Sequence, residues 1–225
     1  LPAPAMALSP HGAADEIIRL ARQHPHEVTV LCTGPMTNLA AAIQKEPALT
    51  ELLSGVIAIS GAFGFNEASF ANATGDTPQS EWNVYVDPEA ADIVYRSGIP
   101  LTALGLDVAT CLSSDFTQEE LTALEESPRP EARFLRQAIR YVNGRGYASY
   151  CTVIDCMAVA YALDPTLVRT RLCRVGIETK DGLTLGMTVR DGRHHHVWEH
   201  LPLVQVGVTA DDRRFLELVI RLVLQ

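Results

Sequence analysis

No stretch of this chain holds the roughly 18 consecutive apolar residues that a helix needs to cross a bilayer, so the sequence predicts no membrane span. The opening residues LPAPAMAL lack a basic flank and are too short for a secretory leader. Basic charge is in deficit: 18 Lys and Arg face 27 Asp and Glu, giving a net charge of -9 and a pI near 5.2. An acidic surface repels phosphate backbones, which excludes nucleic-acid polymers and anionic membranes as expected partners. A small neutral substrate, or a cation held by carboxylates, suits that balance. No Cys-x-x-Cys pair occurs. The five cysteines, Cys32, Cys111, Cys151, Cys156 and Cys173, are odd in number and stand mostly in apolar runs. They read as buried free thiols of a reducing compartment, and the chain is expected to be cytoplasmic. A Gly-x-Ser-x-Gly elbow is missing, and the Gly61–Gly64 run GAFG is not followed by Lys-Ser or Lys-Thr. An acyl-transfer nucleophile and a phosphate-binding loop are therefore not expected. There is no internal repeat, no low-complexity segment and no long linker.

What is present is an alternation of amphipathic helices and short apolar strands. Helical spacing covers 13–23, 37–44 and 88–96, the last opened by Asp87 as cap with Pro88 at the first helical position. The second of these begins with Thr37 and Asn38, whose side chains suit exposed amide groups. Apolar runs at 28–32, 56–60 and 101–106 read as strands buried on both faces. Further on, helices are expected over 117–126, 131–142, 156–163 and 211–224. A hairpin is expected from 172–178 and 183–189 around Lys180-Asp181-Gly182, and a strand over 203–208. The predicted fold is α/β: one domain spanning 1–225, an open and mostly parallel sheet flanked by helices, with a C-terminal β-hairpin and a closing helix. Such sheets bind ligands beyond the carboxyl ends of their strands. That rule directs attention to Thr33-Gly34, to residues 61–87 and to Asp107, which reads as a cap of its own turn or as a pocket contact.

Gly75–Ala91, GDTPQSEWNVYVDPEAA, is the most informative segment. Glu81 and Asn83 are two apart and would project to one side of an extended chain. A carboxylate beside an amide can accept from and donate to neighbouring hydroxyls, as a sugar requires; a solvated loop is the plainer reading. Asp87 reads as a helix cap. His194-His195-His196 lies in a polar loop whose adjacent imidazoles lack ligand-bearing spacing.

This segment resembles the inosine-uridine-preferring nucleoside hydrolase family, as do TGPMTNLA (Thr33–Ala40), LGLDVAT (Leu104–Thr110) and IDCMAVAYALDP (Ile154–Pro165), four blocks in order. The resemblance implies hydrolysis of the N-glycosidic bond of a small-molecule ribonucleoside to ribose and base. It further implies a Ca²⁺ ion, a hard cation that takes oxygen ligands, held in part by the Thr33 carbonyl and the Asp155 carboxylate. Asp76, Glu81, Asn83 and Asp155 would bind the substrate, and Trp82 would wall the sugar or its 5′ end. Homo-oligomers are expected from the same resemblance.

Three departures from the family pattern carry consequences. Family members open with a D-x-D-x-G-x-D-D strand that supplies the general base and most metal charge, and no such run occurs in these 225 residues. The chain is therefore expected to be N-terminally truncated, to hold no catalytic base, to leave Ca²⁺ unbound by itself and to be inactive alone. Ile154 stands where relatives place a histidine often proposed to protonate the leaving base, and isoleucine transfers no proton; either another group does so, with Tyr147 or Tyr150 as candidates, or the base departs unassisted. Asp76 replaces the usual Asn, with one residue fewer before Glu81. The alternative reading is a non-catalytic member of the family that binds a small molecule or a partner.

Overall fold

The computed structural model describes residues 9–225. In chain order the elements are α1 (Ala13–Gln23), β1 (Thr29–Cys32), α2 (Thr37–Lys45), α3 (Leu49–Leu52), β2 (Gly55–Ile59), α4 (Ala68–Ala71), α5 (Trp82–Val86), α6 (Pro88–Arg96) and β3 (Leu101–Leu104). Then follow α7 (Leu106–Ala109), α8 (Gln118–Glu126), α9 (Pro130–Gly144), α10 (Cys156–Leu163), β4 (Val168–Ile177), β5 (Thr188–Asp191), β6 (Leu203–Ala210) and α11 (Asp212–Leu224).

All six strands join one sheet in the order β1-β2-β3-β6-β4-β5. The first four in that order run parallel, and β4 is antiparallel to both β6 and β5. This is the open, mostly parallel α/β sheet that the sequence predicts. Every residue of β2 is buried, because helices cover the sheet on both sides. Val56 and Ala58 enter one core with α1, α2 and α6, while Ile57 and Ile59 enter the other with α8, α9, α10 and α11. The strand period of two sends successive side chains to opposite faces. At roughly 25 cal/mol per Å² of apolar area removed from water, these two cores supply the main favourable term of folding.

Local signals set most boundaries. Asp87 caps α6 by accepting from the Ala90 amide at 3.1 Å, and Pro88 occupies the first turn. Thr117 and Glu120 form a reciprocal capping box on α8. Elsewhere the expectations need correction. Thr37 and Asn38 do not cap α2: the cap position is Met36 without a side-chain bond, and the Thr37 hydroxyl donates instead to Asp87. Strand β3 ends at Leu104 rather than 106, because the chain turns at Gly105 into α7. A Cβ at Gly105 would lie 2.6 Å from the Gly61 carbonyl oxygen, so the two loops approach too closely for any other residue. The second strand of the hairpin starts at Thr188, opposite Ile177. Residues 183–187 are instead a turn that docks on the segment before α5 through a bridge between Ser80 and Met187. Among the cysteines, all free, Cys32 and Cys173 are buried, Cys111 and Cys151 are half-buried and Cys156 is exposed; the expectation of buried thiols holds for two of the five. No helix among the described residues is long and apolar enough to cross a membrane.

Candidate active site

The carboxyl ends of β1, β2 and β3 carry the segments that the sequence singles out. After β2 the chain turns at Gly61, whose φ of 85° favours glycine. It then runs as a short loop over residues 61–66.

Glu81 lies beneath this loop, 4% exposed. It is not part of an extended segment, as its spacing from Asn83 suggests, but the N-cap of α5. Its Oε1 accepts from the Asn83 amide at 2.7 Å, and its Oε2 accepts from the Val84 and Gly61 amides, each at 3.2 Å. Two orphan amides of a helix start and one of a neighbouring loop thus converge on one carboxylate. Burial, with a smaller push from the charge of Asp155, outweighs the pull of the three amide donors and leaves this carboxyl at about 7.

Asn83 also leaves the extended arrangement. Its side-chain amide donates to the Ile59 carbonyl at 2.9 Å, which fastens α5 to the end of β2. Thr33 follows β1, whose last paired residue is Cys32, opposite Ala58. Thr33 itself is exposed. Asp155 precedes α10, and its carboxylate makes no cap bond to that helix. It is exposed, with its carboxyl raised by partial burial. The negative charge of Asp155 is a lesser influence on the Glu81 carboxyl, after burial and the three amide donors. Trp82 is half-exposed beside Tyr85, ring centroids 6.3 Å apart. Asp76 is exposed in the turn before α5, and no bond ties it to Glu81.

Asp107 does not cap its own turn. It is buried in the first turn of α7 and accepts from the amides of Phe63 at 2.7 Å, Phe65 at 2.6 Å and Asn66 at 3.2 Å. Two amides of the GAFG run thus meet protein carboxylates: Gly61 donates to Glu81 and Phe63 to Asp107. Thr188 holds the same loop from the other side, donating to the Ala62 carbonyl at 2.8 Å and accepting from the Ala62 amide at 2.9 Å. Beneath it, Ser60 and Tyr95 share a buried hydroxyl pair at 3.0 Å, and burial raises the Tyr95 phenol. No sequence pattern marks Thr188, Ser60 or Tyr95. Their partners lie 35 to 126 residues away, and only the turn signals around Gly61 hint that a loop needs anchoring there.

The Ile154 side chain packs against the second core. Of the two tyrosines, Tyr150 donates its hydroxyl to the Thr110 carbonyl at 2.9 Å, whereas Tyr147 is 60% exposed. His194, His195 and His196 lie exposed in the loop after β5. The residues expected to hold Ca²⁺ do not fit that ion by themselves. Calcium takes six to eight oxygens, and among the described residues no group of three or more His, Cys, Asp or Glu side chains is placed to hold a metal ion.

A pyrimidine-specific ribonucleoside hydrolase RihA from Shewanella sp. (strain MR-4) is 34% identical over 197 residues, covering 85% of this chain and 58% of the relative. The Citrobacter koseri protein of the same description is 29% identical over 224 residues, covering 97% and 68%. Among solved structures, a purine-preferring ribonucleoside hydrolase from Gardnerella vaginalis superposes with a TM-score of 0.80 at 28% identity, covering 99% of this chain and 68% of that one. A plant nucleoside hydrolase, PpNRh1, matches with a TM-score of 0.80 at 26% identity, covering 98% and 70%. The chain spans 58% of the length of the Shewanella relative. The profile described as inosine-uridine preferring nucleoside hydrolase matches residues 1–217, and the chain belongs to that family.

Proposed function

We propose that this chain provides the ribose-gripping part of a ribonucleoside hydrolase, with Glu81, Asn83 and Asp155 as the groups that meet the sugar. The observation that carries the reading is Glu81: a buried carboxylate fixed by three amides, held near pH 7, and within reach of the charge of Asp155. Buried ionisable groups with shifted titration cluster at working sites. A carboxylate held rigidly in low dielectric favours the positive charge that builds on a ribosyl ring as its bond to the base breaks. Oε1 accepts a single amide bond and so retains capacity for a hydroxyl. Trp82 would wall the sugar, and Asp76 would reach it from the turn before α5.

The proposal assigns no general base to the described residues. It assigns calcium only to a protein that adds carboxylates to Asp155 and the Thr33 carbonyl. Tyr147, exposed where Tyr150 is tied to Thr110, is the proposed donor of a proton to the leaving base. Five free thiols support a reducing compartment, in line with a cytoplasmic enzyme. The described residues leave one edge of β1 unpaired, a surface that supports assembly with further chain or a second copy. A reducing-sugar assay with inosine and uridine, plus Ca²⁺, tests the reading. The full-length gene product is expected to release ribose and residues 1–225 alone to release none. No release by the full-length product from any nucleoside contradicts it.

A second reading, a non-catalytic binding protein of the same family, is favoured by Ile154 and by the incomplete metal ligands. Nucleoside binding without ribose release would select it.

A further inference from the structure

We propose that Asp107 is a positioning residue for Glu81: by tying down residues 61–66 it presents the Gly61 amide to the carboxylate that grips the ribose. The inference rests on the ribose reading above and adds a group that lies outside the sugar contacts. Asp107 is 3% exposed, and a buried carboxylate is tolerated only when hydrogen bonds replace its water. It obtains three, all from one loop and all from backbone 41 to 44 residues away.

The loop's other anchors hold carbonyls and rings rather than these amides: the Phe63 carbonyl accepts from Arg190 Nε at 3.2 Å, and Arg171 and Arg190 lie over the Phe65 ring. Gly61 is suspended between two bonds: its carbonyl accepts from the Leu106 amide at 2.8 Å, next to Asp107 in α7, and its amide donates to Glu81 at 3.2 Å. Ala62 is clamped by Thr188. The amides of Phe63, Phe65 and Asn66 are taken up by Asp107. Of the three donors to Glu81, only the Gly61 amide belongs to this loop, so it is the bond that moves with the loop. Asparagine at 107 would offer one oxygen to three donors and turn its own N–H₂ toward them. The loop would lift, and the Gly61 donor would leave Glu81 while α5 kept its cap from Asn83 and Val84.

A stabilising role alone would lower Tm without reaching the sugar site, and a kinetic cycle separates the two. In the full-length gene product, kcat/KM for inosine and uridine and Tm are measured for Asp107→Asn, Glu81→Gln and the double variant, at a temperature well below every Tm. Asp107→Asn is expected to lower kcat/KM about tenfold and Glu81→Gln about a hundredfold, with the double variant within about twofold of Glu81→Gln, because residues acting as one unit are not additive. Multiplying kinetic losses, or wild-type kcat/KM in Asp107→Asn with a lowered Tm, would overturn the proposal.

An unaltered kcat/KM in Glu81→Gln would instead count against the ribose reading, and amide exchange then decides the positioning link by itself. Asp107→Asn is expected to speed exchange of the Gly61 amide about tenfold or more, with the interior amides of α6 unchanged. An unchanged Gly61 rate overturns the link whatever the activity. Should Asp107→Asn not fold, Thr188→Val releases the same loop at Ala62 without removing a carboxylate, and the same non-additivity with Glu81→Gln is expected.

Discussion

On one side of the site, residues 61–66 and α5 present Glu81 at 4% exposure, with its oxygens held by three amides and the loop above it held in turn by Asp107 and Thr188. By contrast, Thr33 leaves an edge strand and Asp155 precedes α10 without bonding to it, both open to solvent. The first side is over-determined by backbone, so its geometry exists before any sugar arrives and the ordering cost has been met on folding. The second has donor groups in place and little that fixes them. In the site that we propose, the rigid wall would hold the ribose and further carboxylates would complete the open, metal wall.

Breaking the open wall should have the largest effect. In the full-length gene product, Asp155→Ala is expected to abolish turnover, by about a thousandfold or more, and calcium binding with it. Isothermal titration with Ca²⁺ and a ribose-release assay check both. Retained activity would remove Asp155 from the site and erase the contrast between the walls.

The rigid wall can be read through stability. The Glu81 carboxyl is held above its ordinary value of 4.5, at about 7. Between those values the folded chain keeps a proton that the unfolded chain has released. The contribution of this group is therefore fully present below about pH 4.5 and lost as pH rises through 7, amounting to roughly 3 kcal/mol at most. Urea unfolding of wild type and Glu81→Gln across pH 4.5 to 8 should show this downward slope only in the wild type. Equal slopes would mean that Glu81 is solvated and the wall is not closed.

A smaller effect separates the two tyrosines. Tyr147→Phe is expected to lower kcat about tenfold. Tyr150→Phe should leave kcat within about twofold and cost about 1 kcal/mol of stability for its lost bond to Thr110. The reverse pattern in steady-state kinetics would move the proton donor to Tyr150.

Much of this fold is legible in the sequence, because it rests on local rules. Strand β2 reads from an apolar run between turn residues, α6 from Asp87-Pro88, and α10 from a continuous apolar helix ending at Asp164-Pro165. Glu81, Asn83 and Asp155 are also legible as candidates, through their motifs. What is not legible is how they are held. Glutamate is not among the preferred cap residues, so nothing local distinguishes an extended Glu81-Trp82-Asn83 from the start of α5; the Gly61 amide, 20 residues away, helps to settle it. Asp107 misleads for the same reason. An aspartate at the start of a helical turn invites the local explanation, and its real partners come from the loop after a different strand. Thr188 reaches Ala62 across 126 residues, a contact that only tertiary packing creates.

The central claim is that Glu81 grips the sugar, and steady-state kinetics of Glu81→Gln in the full-length gene product test it most directly. The account expects kcat/KM for inosine or uridine to fall about a hundredfold with the chain still folded. A folded Glu81→Gln protein with wild-type kcat/KM would contradict it.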